Sequence, residues 1–200
     1  MLDLSDIDLE EIADALADQT DYEHHWLINP DTGEIAFWTA DTGIDGQTPA
    51  GLDELDLVVI GPLPPWVWYQ DMADFAEGIT DERAGRRLAR AIRGKGAFRR
   101  FKNELHQEYP DLLPAWYAFR DARARRRAVQ WLADNSLIDG GSADRFLSGH
   151  PDPACPEPVA AVTGALCRDL HGGRPRGQFA GGARERHRAA SSRSGLTCLL

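Results

Sequence analysis

Arg83, Arg86, Arg87 and Arg90 recur at i, i+3, i+4 and i+7, so a helix over this segment places all four guanidiniums on one face, with Leu88 and Ile92 opposite. A few residues on, Phe98, Phe101 and Leu105 form an apolar stripe that leaves Arg99, Arg100 and Lys102 facing outward. A third set, Arg120, Arg123, Arg126 and Arg127, makes a second arginine face. Guanidinium forks match phosphate and carboxylate oxygens. The candidate binding residues are therefore Arg86, Arg90, Lys95, Arg99, Arg100, Arg123 and Arg127. The competing reading is that these are solvated helix faces, or that they pair with acids elsewhere in the chain.

Other groupings carry less chemistry. Ala89-x4-Gly94-Lys95-Gly96 approaches a phosphate-binding loop, but no Ser or Thr follows to hold Mg²⁺ and a helix rather than a strand precedes it. A tight turn between two helices explains the same residues. Asp71 and Asp74 stand one helical turn apart and could act as paired carboxylates; a solvated helix face is the simpler account. Asp41-Thr-Gly-Ile-Asp45-Gly46 resembles the start of a calcium loop, yet Gly43 and Leu52 would occupy two ligand positions, so an ordinary acidic loop is expected. His24 and His25 are adjacent in a strand and point to opposite faces. No Ser/His/Asp or Cys/His grouping emerges, so no catalytic residue, metal or cofactor is assigned.

Charge is distributed unevenly. Residues 1–80 hold 19 acids and no Lys or Arg. Residues 81–138 hold 14 basic and seven acidic residues, and 139–200 hold eight basic and six acidic, for a net −10. That sum argues against non-specific coating of nucleic acid. Two functions from different classes follow. One is a non-catalytic binding or regulatory protein whose arginine faces engage an acidic partner, protein or nucleic acid. The other is an enzyme acting on a phosphorylated substrate, with Lys95 and nearby arginines holding phosphate and Asp71 or Asp74 doing proton or metal work. Convergent acids beside Lys95 in a concave site would favour the enzyme; an exposed basic face would favour binding. A third account has the two charged regions neutralise each other within a monomer or a homodimer.

The cysteines, Cys155, Cys167 and Cys198, match no zinc or redox spacing, and Cys198 is too near the end for a prenylation box. The first residues are acidic where a signal peptide is basic. No stretch reaches the ~18–20 apolar residues of a membrane span. A cytoplasmic protein without membrane contact is expected.

These groups need elements to hold them. Ser5-Asp-Ile-Asp8 resembles a capping box, and Leu9, Ile12, Ala13 and Leu16 predict a helix over 8–17. Aromatic and β-branched residues over 22–28 and 34–39 flank Asn29-Pro-Asp-Thr-Gly33, which predicts a β-hairpin with Gly33 at positive φ. Residues 56–60 make a third strand before Gly61-Pro62. Helices are expected over 68–79, with Met72, Phe75, Ala76 and Ile79 on one side, then over 81–93, 97–108 and from Pro114 to about 135. Most of the six Trp belong to the core, while Trp66 and Trp68 are candidates to line a groove where sheet meets helices. From Asp139 the chain is dominated by Gly, Pro, Ser, Ala and Arg, a composition expected to be disordered, with a marginal helix over 158–170 at most.

The segment Leu88-Ala-Arg-Ala-Ile-Arg-Gly-Lys-Gly-Ala-Phe-Arg-Arg-Phe-Lys102 resembles the signature of uncharacterised protein family 0158. Trp116-Tyr117-x-Phe119, Trp131-Leu132, Asp31-Thr-Gly-Glu34 and Met72-x-x-Phe75 extend the resemblance over about 5–138. It implies a small soluble bacterial protein and assigns no activity or catalytic residue. The whole reading is one α+β domain over 1–138, a small antiparallel sheet followed by a helical half, with a disordered tail over 139–200.

Overall fold

Short acidic side chains set several of the helix starts. In the computed structural model, which describes residues 1–20, 24–44, 46 and 51–154, Asp8 accepts hydrogen bonds from the backbone N–H groups of Glu10 and Glu11 and opens helix α1, Leu9–Ala17. The cap is thus Asp8 itself rather than Ser5, which lies in a 3-10 turn, Leu4–Asp6, capped by Asp3. Asp81 caps α3 (Glu82–Ala91) and Asp139 caps α6 (Gly140–Gly149) in the same way. Each carboxylate satisfies N–H groups that a helix start leaves unpaired and meets the positive end of the dipole.

Strands β1 (His24–Ile28) and β2 (Ile35–Thr39) pair antiparallel, with Trp26 opposite Phe37. Asn29 holds the turn by accepting from the N–H groups of Asp31 and Thr32, and Gly33 takes the expected positive φ of 77°. Strand β3 begins at Val58 rather than Asp56, runs to Ile60 and pairs antiparallel with β1, giving the order β2-β1-β3. The helical half follows: α2 (Pro65–Gly78), α3, α4 (Ala97–Glu108) and α5 (Leu113–Asp134), with Pro114 in the first turn of α5. The architecture is α+β.

Apolar residues gather in two clusters. The first joins α1 (Ile12, Leu16), the sheet (Ile28, Ile60), the second half of α5 (Val129, Leu132) and Ala143 of α6. The second joins α2 (Met72, Phe75), α3 (Leu88), α4 (Phe101, Leu105) and Phe119 from the first half of α5. Helix α5 therefore passes from one cluster to the other. Helices α2 and α3 approach closely: a Cβ built on Gly85 would lie 2.7 Å from the backbone oxygen of Ala76.

The disorder expected from Asp139 onward is corrected for residues 139–149, which are ordered. Asp139 caps α6, Ala143 is buried, and Phe146 and Leu147 pack against the first cluster. Ten residues that are too polar to fold alone are held by a core already present. Cys155, Cys167, Cys198 and the helix considered over 158–170 lie outside the described residues. Among the described residues no helix is long and apolar enough to cross a membrane.

Candidate functional site

The first arginine face is built on two helices and the turn between them. Ala84, Gly85 and Leu88 bury the inner side of α3, which leaves Arg83, Arg86 and Arg90 exposed. The turn needs two left-handed residues, Gly94 at φ 78° and Gly96 at φ 74°, a conformation that glycine adopts without a steric penalty. Arg100, in the first turn of α4, reaches back over it. Its Nε donates to the carbonyl of Ala91 at 3.0 Å, its Nη2 to those of Arg93 at 2.5 Å and Gly94 at 3.3 Å, and its Nη1 to Lys95. Carbonyls at the end of α3 that lack helical partners are satisfied by this one side chain. Arg100 is the fastener of the turn.

Arg87 is likewise committed, with Nε 2.5 Å from Glu104 and Nη1 2.9 Å from Glu108, so it clamps α3 to α4. These carboxylates outweigh the opposing effect of burial and raise its pKa above the usual guanidinium range. Arg86 pairs with Glu82 one turn back at 2.9 Å, but both side chains are exposed and such a pair contributes little. Arg83, Arg90, Arg93, Lys95, Arg99 and Lys102 are exposed and have no carboxylate partner among the described residues. No side chain caps α4, so the positive end of its dipole adds to the same region. Arg87, Arg90, Ala91, Arg100, Asn103 and Glu104 line a shallow open groove of about 360 Å³ between the helices.

The second arginine face is occupied. Arg127 binds Asp71 of α2 in bidentate fashion, at 2.7 and 2.5 Å. Arg123 donates to Asp71 at 3.1 Å, to Asp74 at 2.5 Å and to both oxygens of Asp152. Arg126 donates to the carbonyls of Leu147 and His150 at the end of α6, Arg125 pairs with Glu10 of α1 at 2.5 Å, and Arg120 pairs with its neighbour Asp121. The guanidiniums of Arg123 and Arg127 also lie over the rings of Phe119 and Trp68. Burial opposes the charge on Arg123, yet Asp152, Asp74 and Asp71 raise its pKa above the ordinary range. Burial also opposes ionisation of Asp74, and hydrogen bonds from Arg123 and Gln70 still hold its carboxyl below the ordinary value.

Asp71 is 1% exposed, which corrects its assignment to a solvated face. Its position did carry a signal: Trp68, Asp71, Met72, Phe75 and Ala76 share the buried stripe of α2. A carboxylate at an apolar position requires a cation from a facing element. Trp68 is buried beneath Arg127, whereas Trp66 is 68% exposed, so the two do not line a common groove. His24 and His25 do lie on opposite faces of the sheet: the first bonds Asp18 at 2.8 Å and the second stacks on Trp38. Among the described residues no group of three His, Cys, Asp or Glu is arranged to hold a metal.

The distinctive stretch thus proves to be a fastened helical hairpin. The model of the Uncharacterised protein family (UPF0158) matches residues 6–149, which includes this hairpin, the α2–α5 network and α6. The chain belongs to UPF0158. The UPF0158 protein PA5073 of Pseudomonas aeruginosa is 32% identical over 133 residues, covering 66% of this chain and 84% of the relative. No solved structure matches. The family match runs past the boundary expected at 138 and ends where α6 ends.

Proposed function

We propose that this UPF0158 member is a non-catalytic binding or regulatory protein that engages an acidic partner through the α3–α4 face. The observation that supports this reading is the set of six exposed cations, Arg83, Arg90, Arg93, Lys95, Arg99 and Lys102, without carboxylate partners among the described residues, on a turn fastened by Arg100. Unneutralised arginines on a pre-ordered scaffold bind anions with little ordering cost. Asp71 and Asp74, the acids an enzyme would need beside Lys95, are engaged by Arg123 and Arg127 of α5. Arg123, Arg127 and Arg100 have internal work, so the proposed contacts are Arg86, Arg90, Lys95 and Arg99 with their exposed neighbours.

The test is a salt titration of the labelled protein against duplex DNA, single-stranded RNA and polyglutamate. Weak binding that declines with salt is expected for at least one polyanion, and R90A/R99A should abolish or reduce it. Absence of binding to all three at low salt, or binding unchanged in the double variant, overturns the reading.

A further inference from the structure

We propose that the acidic partner of the α3–α4 face is a second copy of this chain, bound through the outer face of α1. This deepens the function proposed above and rests on it. Helix α1 buries Ile12, Ala13, Ala15 and Leu16 and exposes Glu10, Glu11 and Asp14, with Asp6 and Asp8 exposed just before it. Of these, Glu10 alone has an ion-pair partner among the described residues, Arg125. No ion pair among the described residues joins α1 to α3 or α4. Each copy therefore presents two exposed helix faces of opposite charge, neither neutralised by the other.

The dimensions agree. Nine residues of α1 and ten of α3 span about 14 and 15 Å at ~1.5 Å per residue. Glu10/Glu11 and Asp14 on one helix, and Arg83, Arg86 and Arg90 on the other, both repeat about once per turn, roughly 5.4 Å. At physiological salt, charges beyond about 8 Å are screened, so docking depends on these local faces and not on the net −10. Nucleic acid fits less well. Among the described residues the exposed large aromatics, Phe37, Trp66, Tyr69 and Tyr117, all lie on other elements, so the described basic face carries no exposed aromatic for base stacking. A duplex, at roughly one charge per 1.7 Å, would also extend its charge density along the acidic remainder of the chain. Because the two faces differ, the contact is head-to-tail and grows with concentration.

The experiment is sedimentation of the full chain over a range of concentrations at low and high salt, with two variants, R90E/R99E on the basic face and E11K/D14N on the acidic one. Circular dichroism checks that both fold. The wild type should at least double its weight-average mass at low salt and return to the monomer at high salt. Each variant alone should stay monomeric, and an equimolar mixture should form a one-to-one complex, because each retains the face the other lacks. A wild type that stays monomeric at every concentration and salt overturns the proposal, as does a mixture that stays monomeric. If that monomer still binds DNA or polyglutamate through Arg90 and Arg99, the broader reading stands and only the identity of the partner falls. If it binds neither, both fall. Should E11K/D14N not fold, E11Q/D14N replaces it, and the proposal holds only if that variant also stays monomeric alone and associates when mixed with R90E/R99E.

Discussion

Helices α3 and α5 carry arginines at nearly the same spacing, yet Arg123 and Arg127 of α5 are engaged by a facing helix whereas Arg83 and Arg90 of α3 are exposed. On α5, Arg123 and Arg127 face α2 at the point where the helix passes between the two apolar clusters, and Asp71 waits there with 1% exposure. On α3, Arg83 and Arg90 are exposed and have no carboxylate partner among the described residues. The difference lies in what packs against the helix. A guanidinium that meets a buried acid becomes part of the fold; one that meets nothing keeps its donors for another molecule.

The largest expected effect tests the occupied side. Asp71→Ala leaves two guanidiniums without their shared partner, and breaking such a buried pair typically costs about 3–5 kcal/mol. Arg90→Ala on the open face should change stability by no more than about 0.5 kcal/mol, as surface substitutions do. Denaturant melts of both decide it, and similar losses at the two sites would erase the distinction between the faces. Phe101→Ala should also cost about 3–5 kcal/mol, since the ring is buried against Phe75 and Trp116. Phe98, only half-buried, should lose less, which refines the expectation that both rings are core.

Arg99 and Arg100 sharpen the comparison within one helical turn. Arg100→Ala removes contacts to four carbonyls and should cost about 1–2 kcal/mol. Arg99→Ala should be close to neutral in stability and should act on binding instead. Melting curves that rank them the other way round would show that the turn is not held by Arg100.

A smaller effect concerns acid. The folded-state pKa of Asp74 lies below its ordinary value, so its contribution to stability is fully present above about pH 4 and is lost as the pH falls below that. Asp74→Asn should lower stability near neutral pH and flatten the decline below about pH 4. An acid limb identical to wild type would mean that Arg123 gains nothing from this carboxylate. On the open face, the expected change is in binding alone: if duplex DNA is held there, R90A/R99A should flatten the slope of log K against log salt by about 1.8 while the melting curve barely moves.

Much of the fold could be read locally because its signals are local. Asn29 and Gly33 specified the hairpin turn, the limits of α4 coincide with those expected, and Met72, Phe75, Ala76 and Ile79 are buried as their spacing implies. Helix α6 was hidden by averaging. Gly, Ser and Asp dominate its surroundings, yet Asp139, Ala143, Phe146 and Leu147 already formed a cap and an apolar stripe. Such a short helix gains its stability from the core it docks on, and that core comes from distant residues.

Local signals in the sequence specified helix α1, the small sheet and helices α2 to α5 in their α+β order, the hairpin and which helices carry arginine faces, because these follow from backbone preferences and a 3.6-residue period. The fate of each arginine was settled by packing. Arg87, Arg100, Arg123 and Arg127 are engaged by groups from other elements or from across the turn, whereas Arg83, Arg90, Arg93 and Arg99 are exposed without a carboxylate partner among the described residues. Periodicity states which face a side chain occupies, while ion pairing over some 50 residues of sequence depends on which helix is packed opposite, and the pairing of helices is set by the core.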